Sequence, residues 1–384
     1  MSKPVETRLG QYIKVSTAGE PFRAFIPPLL PPNPPVSLEG LEALYERACQ
    51  TLGKLDGLLA SLPDTNLFLY MYVRKEAVLS SQIEGTQSSF SDLLLYESKE
   101  VPGVPLDDVE EVSQYVAAMN YGIQRIKEGF PLSLRLLREI HGILMSSGRG
   151  SEKQPGEFRR SQNWIGGTRP GNALFVPPPP EQMMVCLDNL EKFLHDDVTS
   201  ALIKAAIFHV QFETIHPFLD GNGRLGRLLI PFILMVDGIL NVPGLYLSLH
   251  FKKNRVEYYR HLQEVREHGA WEAWLEFFLI GVVESAQQGS KTIQKIGALF
   301  ETDQAKIDTL KRAKASAMAL YQYLQKHPLI SAKQASQDLG LSFPTITASL
   351  EHLKNLGIVQ EATGKQRDRL FVYQGYLQIL QAET

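Results

Sequence analysis

The stretch "HPFLDGNGRLGRLL", His216 to Leu229, joins two apolar segments and leaves the backbone few ways to pass between them. "ALIKAAIFHVQFETI" precedes it and "LLIPFILMV" overlaps its end. The latter is a nine-residue apolar run, too short for a bilayer and suited to a buried core helix. Pro217 disfavours helical geometry at the residue before it, so the first helix ends near Ile215. Gly221 and Gly223 let the backbone turn sharply and approach a ligand closely. A second helix starts at about Asn222.

The first amides of that helix have no intrahelical partners and sit at the positive end of its dipole, which makes an anion site. Arg224 and Arg227 are three apart and share a helix face, where two guanidiniums can clamp phosphate groups. Asp220 can take a magnesium ion that bridges phosphates. His216 stands at the lip, placed to accept a proton from an incoming hydroxyl. A glycine turn alone usually means only a turn. Base, carboxylate, glycines and paired arginines together mean more.

The rest of the chain reads as mainly α. Hydrophobic residues make up 44% and charged residues 21%, the balance of a folded globular chain. Net charge is −3, which excludes a molecule that binds nucleic acid through overall charge. Cys49 and Cys186 lack metal-type spacing, so a reducing compartment fits, and with no apolar leader or span we expect a cytoplasmic protein off the membrane. "FIPPLLPPNPPV" (Phe25 to Val36) predicts an extended arm. A helix is expected from Ser37, and another from about Leu67 to Glu84. Two short strands are expected around "GGTRPGN", as a β-hairpin ended by "PPPP". After a polar stretch at 287–306, three helices and a hairpin predict a C-terminal winged helix-turn-helix. The expected division is residues 1–100 for the arm and first helices, 101–290 for the catalytic domain and 300–384 for the winged helix.

"HPFLDGNGRLGR" resembles the Fic family signature, H-x-F-x-(D/E)-G-N-G-R-x-x-R, at every fixed position. "PGEFRR" and "FVPPPP" are similar to the borders of the Fic flap, and the proline arm to the N-terminal region of long bacterial Fic proteins. The resemblance implies a Fic-type helical bundle with a β-hairpin flap. It implies an AMP transferase that moves AMP from ATP to a protein hydroxyl. His216 is then the base, Phe218 the loop's anchor in the core and Asp220 the magnesium ligand. Gly221, Asn222, Gly223, Arg224, Gly226 and Arg227 bind the nucleotide. Asn163, Trp164, Ile165 and Gly166 cover it from the flap, where an extended target segment can add as a strand. Tyr258 and Tyr259 match a tyrosine pair near the adenosine, with helix packing as the competing reading. Arg266 departs from relatives that carry a polar amide there.

Val73, Ala77, Ser80 and Glu84 form one stripe of one helix, and the first two are apolar. Glu84 therefore points inward and needs a cationic partner. Gly85 fits the stop behind it. Ser80, Glu84 and Gly85 also match the family's inhibitory pattern, (S/T)-x-x-x-E-(G/N), which implies that Glu84 competes for Arg227.

From Leu310 to Thr384 there are nine Lys/Arg and five Asp/Glu, about +4 (9 − 5). "GKQRDR" puts charge at the expected wing, and Ser342, Thr345, Thr347 and Ser349 are polar contacts on the expected recognition helix. DNA is one partner for this module; dimerisation, target docking or packing are the others. Three functions remain open: a self-inhibited AMP transferase, a DNA-binding regulator with a nucleotide-sensing domain, and a Fic enzyme that removes AMP or moves another group. A homodimer is the expected assembly by likeness to relatives of this layout.

Overall fold

The computed structural model of the chain describes residues 8–17, 20–62, 65–97, 103–362 and 369–382. The chain opens with a hairpin, β1 (Gln11–Thr17) antiparallel to β2 (Glu20–Ile26). Helices then dominate: α1 (Glu42–Ala60), α2 (Thr65–Ile83), α3 (Phe90–Glu97), α4 (Leu106–Lys127) and α5 (Leu134–Leu144). A loop segment follows, then α6 (Pro180–Leu194), α7 (Ala201–Ile215), α8 (Asn222–Val236), α9 (Ser248–Lys253), α10 (Arg255–His268) and α11 (Trp271–Asp308). The last part holds α12 (Lys314–Lys326), β3 (Leu329–Ser331), α13 (Ala332–Leu339), α14 (Phe343–Asn355), β4 (Gln360–Glu361), β5 (Leu370–Val372) and α15 (Gln374–Gln381).

Helix α7 is apolar on almost every side, and nearly all its residues are buried. Such a helix must be surrounded. It packs along α8, with α6, α10 and α11 also against it. Helices α4 and α5 pair and both touch α8, while α2 lies against α4, α9 and α8. The junction between α7 and α8 is thus at the centre of the bundle, reached by the end of α2.

Several expectations need correction. Helix α1 starts at Glu42, not Ser37; Ser37 instead donates its backbone N–H to Glu272. The flap is not a strand pair. One isolated bridge, Ile165 to Phe175, pins it, and a short 3₁₀ turn occupies Pro170–Asn172. The Asn172 side chain accepts from the amides of Thr168 and Arg169, which closes the turn locally and ends any ladder. The N-terminal hairpin was not anticipated. It leans on the flap, where the Phe25 N–H donates to the Val176 carbonyl at 2.9 Å and Phe22 and Ala24 pack on Val176. The polar stretch at 287–306 is helix: α11 runs 38 residues unbroken, about 57 Å at 1.5 Å per residue.

The three C-terminal helices stand in the expected order, with an added strand: the sheet runs β3-β5-β4, antiparallel throughout. Ser342 caps α14 by accepting from the Thr345 amide. Ser349 is buried against Ser316 and is no surface contact. Most of the expected wing turn lies outside the described residues. Tyr373 donates to Asp303 at 2.7 Å, which ties this part to α11. Helix α12 and helix α15 also touch α2.

Candidate active site

His216 ends α7 in the left-handed region, with φ 49° and ψ 61°. Only two described residues other than glycine have positive φ, and a histidine tolerates this better than a branched residue. The turn aims the imidazole away from the helix. Its carbonyl is held by the Arg159 Nε (2.9 Å) and the Asn163 Nδ2 (3.2 Å). Nδ1 faces the Glu213 carbonyl at 3.4 Å, which places the proton there and leaves Nε2 free to accept. Burial, with Arg266 and Arg159 beside it, pushes the group down to about 4. The ring is neutral at pH 7.

The loop after it is fixed from several sides. Phe218 is fully buried and stacks on His141 at 3.7 Å, 9° from parallel. The Asn222 side chain accepts from the Phe218 N–H and donates to the Phe218 carbonyl, both at 2.9 Å. Asn163 donates to the same carbonyl at 3.0 Å. His141 accepts from the Gly156 N–H on Nδ1, so its Nε2 carries the proton and donates to the Asp220 carbonyl at 3.0 Å. Arg159 spans the carbonyls of His216, Ser161 and Pro178 from a buried position. Arg159→Ala orphans these acceptors. It is expected to cost about 3 kcal/mol, read as a several-degree fall in Tm, and Arg159→Lys does not rescue it for want of a planar fork.

Gly221 has φ 73°, and a Cβ there would lie 2.7 Å from the Met145 sulfur. No side chain caps α8 among the described residues, so its first amides stay available. Arg224 is buried in an ion pair with Glu111 at 2.9 Å, and Glu111 also accepts from the Thr86 hydroxyl. Gly226 faces away from this turn: a Cβ there would meet Glu213 and Phe212 of α7, so it allows close helix packing. Asp220 accepts from the Gly221 N–H and from Lys153, which outweigh burial and hold it below its usual range.

Ser80 and Glu84 reach the same place from α2. Arg227 donates from Nε to the Ser80 hydroxyl (2.9 Å) and from Nη2 to the Ser80 carbonyl (3.0 Å) and to Glu84 Oε1 (2.7 Å). That oxygen lies 2.3 Å from where a Cβ on Gly223 would stand, over the first turn of α8. A carboxylate thus stands beside the anion site. Burial works to raise Glu84, but Arg227 outweighs it and holds the carboxyl low. Burial likewise disfavours charge on Arg227, and Glu84 reverses that. Gly85 takes φ 98°, a conformation open to glycine, directly behind the acid.

The flap residues Asn163, Trp164, Ile165 and Gly166 are brought to one side of the loop by Asn163, while Trp164 is partly exposed. The tyrosine pair divides. Tyr258 is buried, stacks on Phe251 at 4.6 Å and bonds His209 at 2.8 Å, so it packs the core. Tyr259 is exposed. Arg266 is buried, donates to the Thr214 hydroxyl and lies 4.0 Å over the Phe175 ring. Sequence reasoning missed His141, Glu111 and Lys153. Only the motif's own buried polar groups, each needing a partner, pointed toward them. No group of three or more His, Cys, Asp or Glu among the described residues forms a metal cluster. No helix among them is long and apolar enough to cross a membrane.

The chain is similar to known proteins in sequence and in fold. The chain is 30% identical over 238 residues to a protein adenylyltransferase Fic of Aedes aegypti, covering 59% of this chain and 44% of that one. It is 27% identical over 237 residues to the protein of that name from Drosophila melanogaster, covering 59% and 45%. The chain thus spans less than half the length of these curated relatives. A crystal structure of a Fic family protein from Desulfovibrio desulfuricans has the same fold, with TM-score 0.56 at 20% identity over 86% of this chain and 96% of that one. Fic-1 from C. elegans aligns with TM-score 0.51 at 24% identity, over 69% and 75%. Residues 43–124 match the Fic/DOC family N-terminal model and residues 131–234 the Fic/DOC family model, so this chain carries both Fic-family regions.

Proposed function

We propose that this chain is a protein adenylyltransferase held off by its own Glu84. The observation that carries this reading is the Glu84 carboxylate on Arg227, over the first turn of α8. The phosphate chain of ATP lies along the α8 amides and Arg224, and Arg227 takes the γ-phosphate once Glu84 has left. The flap holds an extended target segment and its hydroxyl near the α-phosphate. The hydroxyl oxygen forms a bond to the α-phosphorus, and the bond from that phosphorus to the bridging β-oxygen breaks. Pyrophosphate leaves with the electron pair, and the hydroxyl proton goes to His216 Nε2. The α8 amides stabilise charge on the transferring group.

Asp220 fits a magnesium ligand as a single hard oxygen donor, ionised and a third exposed, the remaining ligands being phosphate oxygens and water. Magnesium bound there would neutralise phosphate charge. The test is incubation of the Glu84→Gly chain with α-labelled ATP and magnesium. Label in the protein, with a mass gain of one AMP, is expected. A chain that binds ATP and never takes up label would overturn the reading.

The low pKa of His216 gives a second expectation. On kcat/KM, the acid limb set by the base lies near 4 rather than 6.5, because burial disfavours the imidazolium. Activity of Glu84→Gly is expected to hold level from pH 8 to about 5.5. A half-maximum near pH 6.5 would contradict a desolvated base.

A further inference from the structure

Asp220 already has a cation. Lys153 lies 3.0 Å from its Oδ2, on the loop between α5 and the flap. The pair is partly open to solvent, with the lysine side chain 44% exposed and the aspartate 32%. The loop is nevertheless anchored at the site. Its Gly156 N–H bonds His141, and His141 bonds the Asp220 carbonyl. Gly150, with φ 85°, comes so close that a Cβ would lie 2.8 Å from Asp220 Oδ2. The Lys153 N–H returns to the Gly150 carbonyl at 3.0 Å, which folds the loop back over the carboxylate. Arg149, on the same loop, reaches the buried Glu111 at 3.5 Å, and Glu111 holds Arg224. Two loop cations thus border the phosphate turn, each on a carboxylate of the site.

Resting on the adenylyltransferase reading, we infer that Lys153 is a further phosphate-binding residue of this chain. It holds Asp220 while the site is empty and turns to the phosphates when a nucleotide enters, which leaves the carboxylate to a divalent cation. The chemistry is a contest of two cations for one carboxylate. A lysine suits it, because a flexible stem carries a point charge with three donors that need no fixed plane. The exposed position leaves it free to move without vacating a packed site.

The test uses the whole Glu84→Gly chain described above, alone and with Lys153→Met or Lys153→Arg. ATP binding is measured in EDTA by calorimetry, and manganese binding to the ADP complex by electron paramagnetic resonance. Lys153→Met is expected to weaken metal-free ATP binding about fivefold, the upper end for one exposed ion pair, and to tighten manganese binding by a similar factor. Lys153→Arg keeps ATP binding near the parent value. Unchanged ATP affinity or unchanged manganese affinity in Lys153→Met overturns the inference and leaves the adenylyltransferase reading standing. A Glu84→Gly parent that binds no ATP even with manganese overturns both.

Discussion

Glu84→Gly is expected to raise transfer of AMP onto the chain itself by about thirtyfold. The estimate rests on one charge-assisted bond, Arg227 to Glu84 at 2.7 Å, with the carboxylate a third exposed. Such a bond contributes about 2 kcal/mol after allowance for solvent, and 1.4 kcal/mol is tenfold. The substitution removes the competitor and leaves Arg227 on the Ser80 hydroxyl and carbonyl. Gly85 already has positive φ behind it, so a second glycine falls beyond the last turn of α2 and not within it. The measurement is incorporation of labelled AMP at equal protein concentration. Equal labelling of the two chains would remove Glu84 from the inhibitory role, whatever the chemistry proves to be.

Protonation is a poor way to open this contact. Arg227 holds the Glu84 carboxyl below its usual range, and Glu84 holds the Arg227 guanidinium above its own. A depressed acid contributes stability above its unfolded pKa and loses it only as pH falls through the lower, folded value. The pair therefore persists across neutral pH. A turn of the Glu84 side chain or a shift of α2 would open it. That helix is gripped elsewhere: Arg74 lies 3.4 Å over Tyr70 and pairs with Glu97, and the Tyr70 ring meets His327 of the C-terminal part at 5.9 Å. Whatever shifts the C-terminal part therefore bears on the helix that carries Glu84.

The Glu84–Arg227 contact was legible because two local rules point at one place. Helical spacing fixes the face of Glu84, and a buried acid demands a cation. The αL turn at His216 was half legible, since Pro217 ends the helix but says nothing of the φ adopted. His141 was not legible. It lies on the buried face of α5, and its partners, the Gly156 N–H and the Asp220 carbonyl, stand 15 and 79 residues later on loops that no local pattern ties to it. Glu111 is hidden in the same way among the acids of α4. The flap misled because turn residues predict where a chain reverses and not how long the ladder is. Gly166 and Gly167, at φ 69° and 68°, and the following prolines limit it to one bridge. The N-terminal hairpin alternates Ile13 and Val15 against Phe22 and Ala24, yet a lone two-stranded hairpin is marginal in water. Its stability comes from Val176 of the flap, a contact no local pattern announces.

His216→Ala in the Glu84→Gly chain is expected to reduce kcat by roughly a thousandfold while leaving ATP affinity within a few-fold. General-base removal typically costs about 10² to 10⁴. The upper half of that range applies because Nε2 is the only free lone pair on a neutral ring whose Nδ1 is already committed. The backbone argument separates chemistry from folding. The atom that organises the loop is the His216 carbonyl, held by Arg159 and Asn163, and alanine keeps it. Alanine accepts φ 49° at a cost of about 1 kcal/mol, no worse in kind than the histidine it replaces. On the proposed reading the α8 amides and the arginines hold the phosphate groups, and the substitution touches neither. Binding and Tm are therefore expected to stay close to the parent while labelling disappears. A variant that lost ATP binding together with transfer would place His216 in the structure of the loop instead of in proton transfer. One that kept more than a tenth of the parent kcat would exclude it as the base.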